Sequence, residues 1–490
     1  MNNNLIYGIR DVPKKWYEWL VYPIQQVLAV FVATVLIANI CGTPVSSCLF
    51  GAFIATTVYQ VITKFKSPMF ISSCGATVSA VIGALAMPAG YLAVAIGGLS
   101  ILVLYALVAL FVKLRGIDAL NKILPVTIVG PITIVIGINL AGFIPTYTMV
   151  AGAHSNIGIL VALFTMLIVA LTSHYFKGVW KTIPFLLGLL GGYILSIILT
   201  VSHAAPLIDF SLFKGIKAFG VPEFTFLKWN FSTLTWKTVG QVLLLFVPVG
   251  LAAVCEHWAD HRTLSNIIGT DLTKDPGLHR TLLGDGTASF LGTVICGLPN
   301  TSYGESIATT GFSRVASVWM LTVAAGILGL LSFFVPIQVF INSIPSCVFG
   351  GCAMILYGYI AASGLKVLIN NHVDLENNKN LIVIAVILTV GVSGIWLFDS
   401  AFAGVSLALV LGIILNLILR EPKPKAEEPE EKPEEEPINI LTEDTASTPE
   451  EQIEIIAQEA VSTQDNGPAA KDLPPVHQGG DEKFDISLKM

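Results

Sequence analysis

Charged residues are scarce in this sequence. Of its 490 residues only 12% are Asp, Glu, Lys or Arg, whereas 54% are hydrophobic, and the mean hydropathy is +0.75. A soluble globular domain carries about 25% charged residues. The composition therefore excludes an ordinary soluble enzyme and excludes disorder over most of the chain. It predicts an all-α protein that crosses a membrane many times.

Neither a signal peptide nor a cysteine framework is expected from this sequence. The first 22 residues contain no apolar run of the signal-peptide kind, so we expect residues 1–22 to form a short cytoplasmic segment. The seven cysteines, at positions 41, 48, 74, 255, 296, 347 and 352, do not have the spacing of a metal site. We interpret them as small apolar residues in a reducing compartment.

The net charge of −6 conceals two regions of opposite sign. Residues 421–490 contain 19 acidic and 6 basic residues, whereas the preceding 420 residues contain 14 acidic and 21 basic ones. The tail is rich in Pro, Glu, Lys, Ser, Thr and Gln, which is typical of disordered segments. We therefore expect a transmembrane body over 23–420 and a disordered acidic cytoplasmic tail over 421–490.

Apolar runs recur throughout the body. Searching for runs of about 20 residues predicts fourteen membrane segments, near 24–41, 44–62, 74–87, 91–113, 123–144, 155–174, 182–202, 239–259, 281–296, 304–313, 316–336, 343–364, 380–396 and 400–419. Basic residues occur in the loops that this count places on the cytoplasmic side of the membrane. Of the loops that it places on the other side, only 203–238 contains Lys. By the positive-inside rule both termini are expected in the cytoplasm.

Two segments, the third and the tenth, are interrupted in the same way. Residues 67–75 read Ser-Pro-Met-Phe-Ile-Ser-Ser-Cys-Gly, and residues 297–304 read Gly-Leu-Pro-Asn-Thr-Ser-Tyr-Gly. Paired broken segments at matching positions of two halves indicate a transporter built from inverted repeats. The alternative is a pair of ordinary loops that contain proline.

Few carboxylates lie at membrane depth. Glu256 and Asp260 are one helical turn apart and therefore share a helix face, and Glu305 follows the second broken segment. A carboxylate near the bilayer centre costs at least about 2.5 kcal/mol and is usually functional. Asp285 and Asp399 lie near predicted helix ends, where they could reach the interface.

This arrangement suits a small planar solute with alternating hydrogen-bond donors and acceptors. Carboxylates accept from ring N–H groups, and the backbone N–H groups at half-helix starts donate to ring carbonyls. A desolvated acid could also take up and release a proton during transport. His257 and His261 are interpreted as packing residues, because too few ligands accompany them to form a metal site.

The residues around these acids resemble a known family. Residues 256–260 read Glu-His-Trp-Ala-Asp, residues 274–280 read Lys-Asp-Pro-Gly-Leu-His-Arg, and residues 299–305 read Pro-Asn-Thr-Ser-Tyr-Gly-Glu. Over roughly residues 20–420 the sequence resembles the bacterial uracil permeases of the nucleobase–ascorbate transporter family, also called nucleobase:cation symporters. The stretch 256–314 is the specific part of this resemblance.

The resemblance implies an architecture. It implies fourteen transmembrane segments arranged as two inverted repeats of seven, with a short strand and a half-helix in segments 3 and 10. It also implies a core domain, about 23–113 and 239–336, and a gate domain, about 120–202 and 340–420. A homodimer is implied as well.

The resemblance also implies roles for individual residues. Glu256 and Glu305 match the two acids that hydrogen-bond uracil, and Gly304 matches a backbone contact beside the base. Asp260 falls where some members have His and others Asp. Glu256 and Asp260 are therefore the implied residues for proton coupling.

Other implied pocket residues include positions where the sequence departs from the family. Tyr303 and Tyr357 match side chains that line the pocket, and Ser73 and Cys74 fall on the strand that meets the ring. The permeases carry Phe at the position of Cys74. Gln26 replaces a His that is common in the family.

The resulting expectation is a uracil:proton symporter of the cell membrane, not an enzyme, that works by alternating access. Its partners would be a nucleobase and the lipid bilayer, without nucleic acid. No cofactor is expected, and sodium remains the alternative to the proton as coupling ion. Two alternative functions are a purine symporter for xanthine or uric acid and, on the same fold, an anion transporter.

Overall fold

The protein consists mainly of helices. The computed structural model describes residues 5–116, 125–150, 152–177, 183–395 and 403–419. Within these ranges, eight helices are long and apolar enough to cross a membrane. This confirms the expectation of a mostly helical protein with apolar helices of membrane-spanning length. The predicted acidic tail, 421–490, and Asp399 lie outside the described residues.

The helices of the first half are α1 (Glu18–Cys41), α2 (Val45–Ile62), α3 (Val78–Leu85), α4 (Tyr91–Arg115), α5 (Val126–Ala141), the single turn α6 (Ile144–Tyr147), α7 (Asn156–Tyr175) and α8 (Pro184–Val201). The helices of the second half are α9 (Trp236–Ile268), α10 (Leu278–Cys296), α11 (Gly304–Ser313), α12 (Val318–Leu331), α13 (Val335–Asn342), α14 (Ser346–Asn370), α15 (Asn378–Val392) and α16 (Ala403–Ile418). Each predicted apolar run overlaps one of these helices. The stretch 337–342, which separates two of the predicted runs and was therefore expected to be a loop, lies within α13 instead.

The two interrupted segments meet in space. Strand β1 (Ile71–Ser73) pairs antiparallel with β4 (Asn300–Ser302), so that Ser72 lies opposite Thr301. A separate hairpin joins β2 (Met149–Val150) to β3 (Ala153–His154). After β1 the chain makes a 3₁₀ turn and enters α3, and after β4 it enters α11. The sequence prediction of two broken segments is therefore confirmed.

Proline explains why these segments begin as strands. Pro68 and Pro299 disfavour helix in the residues before them and cannot donate a backbone hydrogen bond. The strands satisfy their backbone groups by pairing with each other, and the Cys74 N–H donates to the Pro299 carbonyl at 2.9 Å. Thr56 of α2 also accepts from the Ile71 N–H at 3.1 Å. Buried backbone thus remains hydrogen-bonded where the helix is broken.

Small residues let the helices around the strand pair approach closely. Helix α10 packs against both α2 and α4. A Cβ atom at Gly98 of α4 would lie 2.0 Å from Oγ1 of Thr293 on α10, and one at Gly286 of α10 would lie 2.6 Å from Cβ of Tyr105 on α4. Side chains at these glycines would force α4 and α10 apart.

The N-terminal segment lies against the loop that follows α11. The Ile6 N–H donates to the Arg314 carbonyl at 2.8 Å, and the Ala316 N–H donates to the Tyr7 carbonyl at 2.9 Å. The Tyr7 hydroxyl donates to Glu18 Oε2 at 2.6 Å. These contacts connect the chain before α1 to the end of the second broken segment.

We predict that Gly98→Ala destabilises the protein by about 1–3 kcal/mol, because the new methyl group overlaps Thr293 in a close-packed interface. Gly326→Ala in α12 is the matched control, since nothing lies within 4 Å of its Cβ position. The control should be neutral or stabilise the helix by up to about 1 kcal/mol. Thermal unfolding of both detergent-solubilised variants would test this, and equal melting temperatures would contradict it.

Candidate functional site

The candidate site lies where α9 passes the strand pair. Asp260 of α9 accepts a hydrogen bond from the Ser302 hydroxyl of β4, with 2.8 Å between Oγ and Oδ2. Glu256, one turn earlier on α9, has an exposed side chain. The strand pair therefore brings the second broken segment to the helix that carries two of the predicted acids.

Glu305 stands in the first turn of α11, directly after β4. Its side chain is half-buried, and its neighbour Gly304 is exposed, with nothing within 4 Å of its Cβ position. The amino end of a helix carries a partial positive charge, which favours an acidic side chain or a ligand carbonyl. Glu305 and Gly304 thus border open space at a polar helix end.

The open space continues along both helices. On α9 the exposed residues after Glu256 include Ala259 and Thr263, and on α11 Ala308 follows Gly304 by one turn. By contrast, residues 252–254 of α9 are buried. The acids consequently lie at the inner end of an accessible surface that extends along the carboxyl-terminal half of α9.

The other predicted pocket residues are buried. Ser73 and Cys74 lie at the end of β1, and Tyr303 lies between β4 and α11. Tyr357 is buried on α14, which packs against α5. Among the described residues, no hydrogen bond joins these four side chains to Glu256 or Glu305. The structure brings Glu305 and Gly304 together with the strand pair, whereas Tyr357 comes from a separate group of helices.

Gln26, one of the departures from the family, contacts the same half-helix. Its Nε2 donates to Thr310 Oγ1 at 3.2 Å and lies 3.5 Å from the Ser306 carbonyl oxygen. Its side chain is buried, and its Oε1 has no partner among the described residues. Gln26 therefore ties α1 to α11 behind Glu305.

Sequence reasoning misplaced Asp285. We expected this residue near a helix end, within reach of the interface, but it lies within α10 and is wholly buried. Its Oδ2 lies 2.6 Å from Nδ1 of His257 and accepts from the Thr301 hydroxyl at 3.0 Å. The error arose because an assignment of helix ends does not show which neighbours cover a side chain. The i+1 position of His257 relative to Glu256 correctly indicated that its side chain points elsewhere.

A second buried chain of hydrogen bonds involves His261. Its Nδ1 donates to the His257 carbonyl at 2.8 Å, because a carbonyl can only accept. Its Nε2 lies 2.6 Å from the Tyr59 hydroxyl, which lies 2.8 Å from Ser67 Oγ. This chain connects α9 to α2 and to the segment that leads into β1. His257 and His261 therefore have packing roles, as the sequence indicated.

A recess of about 290 Å³ lies elsewhere, beside α3, α5, α15 and α16. Its lining includes Ser79 and Asn139 but no acidic or basic side chain. We place the candidate site at the acids rather than in this recess, because recognition of a polar solute needs convergent polar groups. Within the described ranges, no cluster of His, Cys, Asp and Glu could hold a metal ion.

Comparison with known proteins identifies the family of the chain. A family model described as a permease family, that of the xanthine and uracil permeases, matches residues 17–400. The chain belongs to this family, the nucleobase–ascorbate transporters. It is therefore a multi-pass membrane protein of a transporter family and not an enzyme.

Several members of the nucleobase–ascorbate transporter family align over most of the chain. The uracil permease of Bacillus subtilis is 35% identical over 416 residues, which cover 83% of this chain and 93% of that protein. The uracil permease of Escherichia coli K12 is 34% identical over 397 residues, covering 80% and 88%. These alignments confirm the resemblance that the residues around the acids indicated.

Solved structures show the same fold at low sequence identity. The transmembrane domain of the cyanobacterial bicarbonate transporter BicA superposes with a TM-score of 0.55 at 13% identity, covering 83% of this chain and 99% of that chain. SLC26A9 superposes with a TM-score of 0.57 at 12% identity, covering 83% and 67%. At these identities the likeness establishes the fold alone.

We predict that Tyr59→Phe destabilises the protein by about 1–3 kcal/mol, because His261 Nε2 and the Ser67 hydroxyl lose a buried partner. Tyr359→Phe is the matched control, since Tyr359 is exposed and such changes are usually within about 0.5 kcal/mol. Thermal unfolding in detergent measures both. An unchanged melting temperature for Tyr59→Phe would show that the hydroxyl chain does not stabilise the fold.

Proposed function

We propose that the protein imports uracil together with protons across the cell membrane. The observation that carries this proposal is the placement of Glu256 and Glu305 on two elements that meet at the β1–β4 pair and face open space. The relatives named as uracil permeases support the choice of solute. Sodium remains the alternative coupling ion, and no other cofactor is proposed.

The chemistry of the site suits a neutral nucleobase. Uracil presents ring N–H donors and carbonyl acceptors in alternation. A carboxylate of Glu256 or Glu305 accepts from a ring N–H, and backbone donors near Gly304, at the start of α11, serve a ring carbonyl. We assign Ser73, Cys74, Tyr303 and Tyr357 to the surrounding pocket.

An anion is disfavoured as the solute. The sequence contains no Lys or Arg in residues 67–112, 238–261 or 281–313, which include β1, α3, β4, α11 and the part of α9 that carries the acids. The carboxyl groups of Glu256, Asp260 and Glu305 would repel an anion unless all three were protonated. The likeness to a bicarbonate transporter concerns the fold and does not alter this argument.

The helix contacts support the two-domain arrangement. Helix α10 packs against α2 and α4, whereas α14 packs against α5, α7 and α8. We propose that the first group belongs to a core domain, 23–113 and 239–336, and the second to a gate domain, 120–202 and 340–420. The two domains together would comprise fourteen membrane segments in two inverted repeats, with both termini in the cytoplasm.

We propose that uptake proceeds by alternating access. The accessible surface beside Glu256 extends toward the carboxyl end of α9. The basic residues Arg262 and Lys274, at and beyond that end, support a cytoplasmic location for it. On this basis we propose that the described conformation is inward-open. Movement of the core against the gate would close this side and open the other. A homodimer, which the resemblance implies, would be tested by the mass of the purified protein in detergent.

We predict that Glu256→Gln and Glu305→Gln each reduce uracil uptake at least about 100-fold, because an amide is an uncharged, weaker acceptor and cannot take up a proton. Radiolabelled uracil uptake in a bacterial strain without its own uracil permease is the measurement. Glu223→Gln is the control, since Glu223 forms an exposed ion pair with Lys228. Normal uptake by either site variant, at equal membrane abundance, would refute the site assignment.

We further predict that a protonophore abolishes this uptake and that excess unlabelled xanthine does not compete. Both results follow from a proton-driven pyrimidine transporter. Replacing sodium with potassium in the assay should leave uptake unchanged. Competition by xanthine would favour a purine substrate. Dependence of uptake on sodium would instead favour sodium as the coupling ion.

A further inference from the structure

The loop between α8 and α9 exposes large apolar side chains. Residues 210–221 read Phe-Ser-Leu-Phe-Lys-Gly-Ile-Lys-Ala-Phe-Gly-Val. In this segment Val221 is 78% exposed, Phe219 69%, Phe210 47% and Leu212 44%. Apolar side chains gathered on one segment are costly in water, and such a patch marks a contact with lipid or with another protein.

The segment 210–221 is fixed against the turn between α12 and α13. The Gly220 N–H donates to the Phe333 carbonyl at 3.0 Å, and the Val335 N–H donates to the Ala218 carbonyl at 3.2 Å. These two hydrogen bonds flank the exposed phenylalanine between them. The exposure of the apolar side chains is therefore a property of the folded protein.

Two lysines lie between these apolar residues. Lys214 and Lys217 are exposed, and neither forms an ion pair within 4 Å with any described residue. In the same loop, by contrast, Lys228 pairs with Glu223 at 3.0 Å and lies 5.9 Å from the centre of the Tyr91 ring. The segment therefore presents two positive charges beside an apolar surface.

Both helices that the loop connects present apolar surfaces to lipid. On α8, the exposed residues Ile194, Ile198 and Val201 follow one another at helical spacing up to the loop. On α9, Trp236 is 90% exposed and lies two turns before the exposed Leu243. Exposed apolar faces on helices of this length face lipid, and aromatic residues at their ends lie at headgroup level. The loop thus begins and ends at the surface that lipid covers.

The charges on this side of the membrane favour lipid over a second copy of the chain. Apart from Asp399, which lies outside the described residues, the loops predicted on the side opposite the cytoplasm contain only the acids Asp209 and Glu223. Glu223 already forms the ion pair described above. A second copy would therefore offer few carboxylates to the two lysines, whereas anionic phospholipids carry a phosphate at the membrane surface.

We propose that the segment 210–221 is a binding site for an anionic phospholipid. Lys214 and Lys217 donate to the headgroup phosphate, while the exposed apolar side chains lie against the upper part of the acyl chains. Because the segment is hydrogen-bonded to the α12–α13 turn, a lipid bound here connects the membrane surface to that turn. The inference goes beyond the proposed uptake and depends neither on the solute nor on the coupling ion.

The test is native mass spectrometry of the detergent-purified full-length protein titrated with phosphatidylglycerol. This measurement counts the bound lipids and gives the affinity of each. In the variant Lys214→Gln/Lys217→Gln, the affinity for one phosphatidylglycerol molecule should fall about 30-fold, because each lysine near an anionic surface contributes about fivefold. Phosphatidylcholine, which has no net charge, should bind the wild type with a correspondingly lower affinity.

Two further variants isolate the charges of the segment. Lys214→Arg/Lys217→Arg keeps both charges, so its affinity for phosphatidylglycerol should stay within about twofold of the wild type. Lys228→Gln/Lys274→Gln is the matched control, since it removes the same number of charges from lysines that already have carboxylate partners. This control should also retain the lipid.

Another variant tests the apolar part of the site. Leu212→Ser/Val221→Ser keeps the lysines and removes two apolar side chains that are exposed in the protein alone. The affinity for phosphatidylglycerol should fall on the order of tenfold, because these side chains no longer leave water when the lipid binds. Inorganic phosphate has no acyl chains, and it should neither bind at this site nor displace the lipid.

Equal binding of phosphatidylglycerol by Lys214→Gln/Lys217→Gln and the wild type would overturn the inference. Binding of inorganic phosphate with the same dependence on the two lysines would overturn the assignment to a lipid. The masses also report subunit number. A dimeric wild type and a monomeric Leu212→Ser/Val221→Ser variant with unchanged lipid affinity would show that this surface is a contact between copies, which would also overturn the inference.

Discussion

The pairing of two three-residue strands within a helical membrane protein is the constraint on which the site depends. Broken helices expose backbone N–H and C=O groups that lipid cannot satisfy. Here β1 and β4 satisfy each other, and Thr56 supports β1 from α2. Because α11 starts directly after β4, the same pairing determines where Glu305 stands. The strand pairing therefore both satisfies the backbone of the broken segments and positions Glu305.

Helix α9 serves two purposes on different faces. Glu256 borders open space and Asp260 bonds to β4, whereas His257 and His261 point into the core and connect α9 to α10 and α2. Acids can thus remain accessible to solute while the helix that carries them is held by buried hydrogen bonds. The glycine-lined contact of α10 with α2 and α4 places the partners of those histidines within reach. In this region, the close packing of the helices allows the buried hydrogen bonds of His257 and His261 to form.

Much of the organisation could be predicted from particular residues. Pro68 and Pro299, each followed by short polar residues and glycine, correctly indicated two interrupted segments, since proline removes a donor and restricts the residue before it. The four-residue spacing of Glu256 and Asp260 indicated a shared region of α9. Asp285 shows where such reasoning fails, because burial depends on the elements that pack around a residue. Nothing in the spacing of Asp285, His257 and Thr301 along the chain predicts that they meet.

The sequence by itself determined the class of protein, the positions of its apolar runs, the two breaks and the chemistry of the acids, because hydropathy, proline geometry and charge are local properties. Only the tertiary structure decided that the breaks pair as β1 and β4, that Ser302 binds Asp260, and that Asp285 lies behind the strand rather than at the interface. Those outcomes depend on contacts between residues far apart in the chain. Such contacts follow from the packing of helices against one another, which no single stretch of sequence specifies.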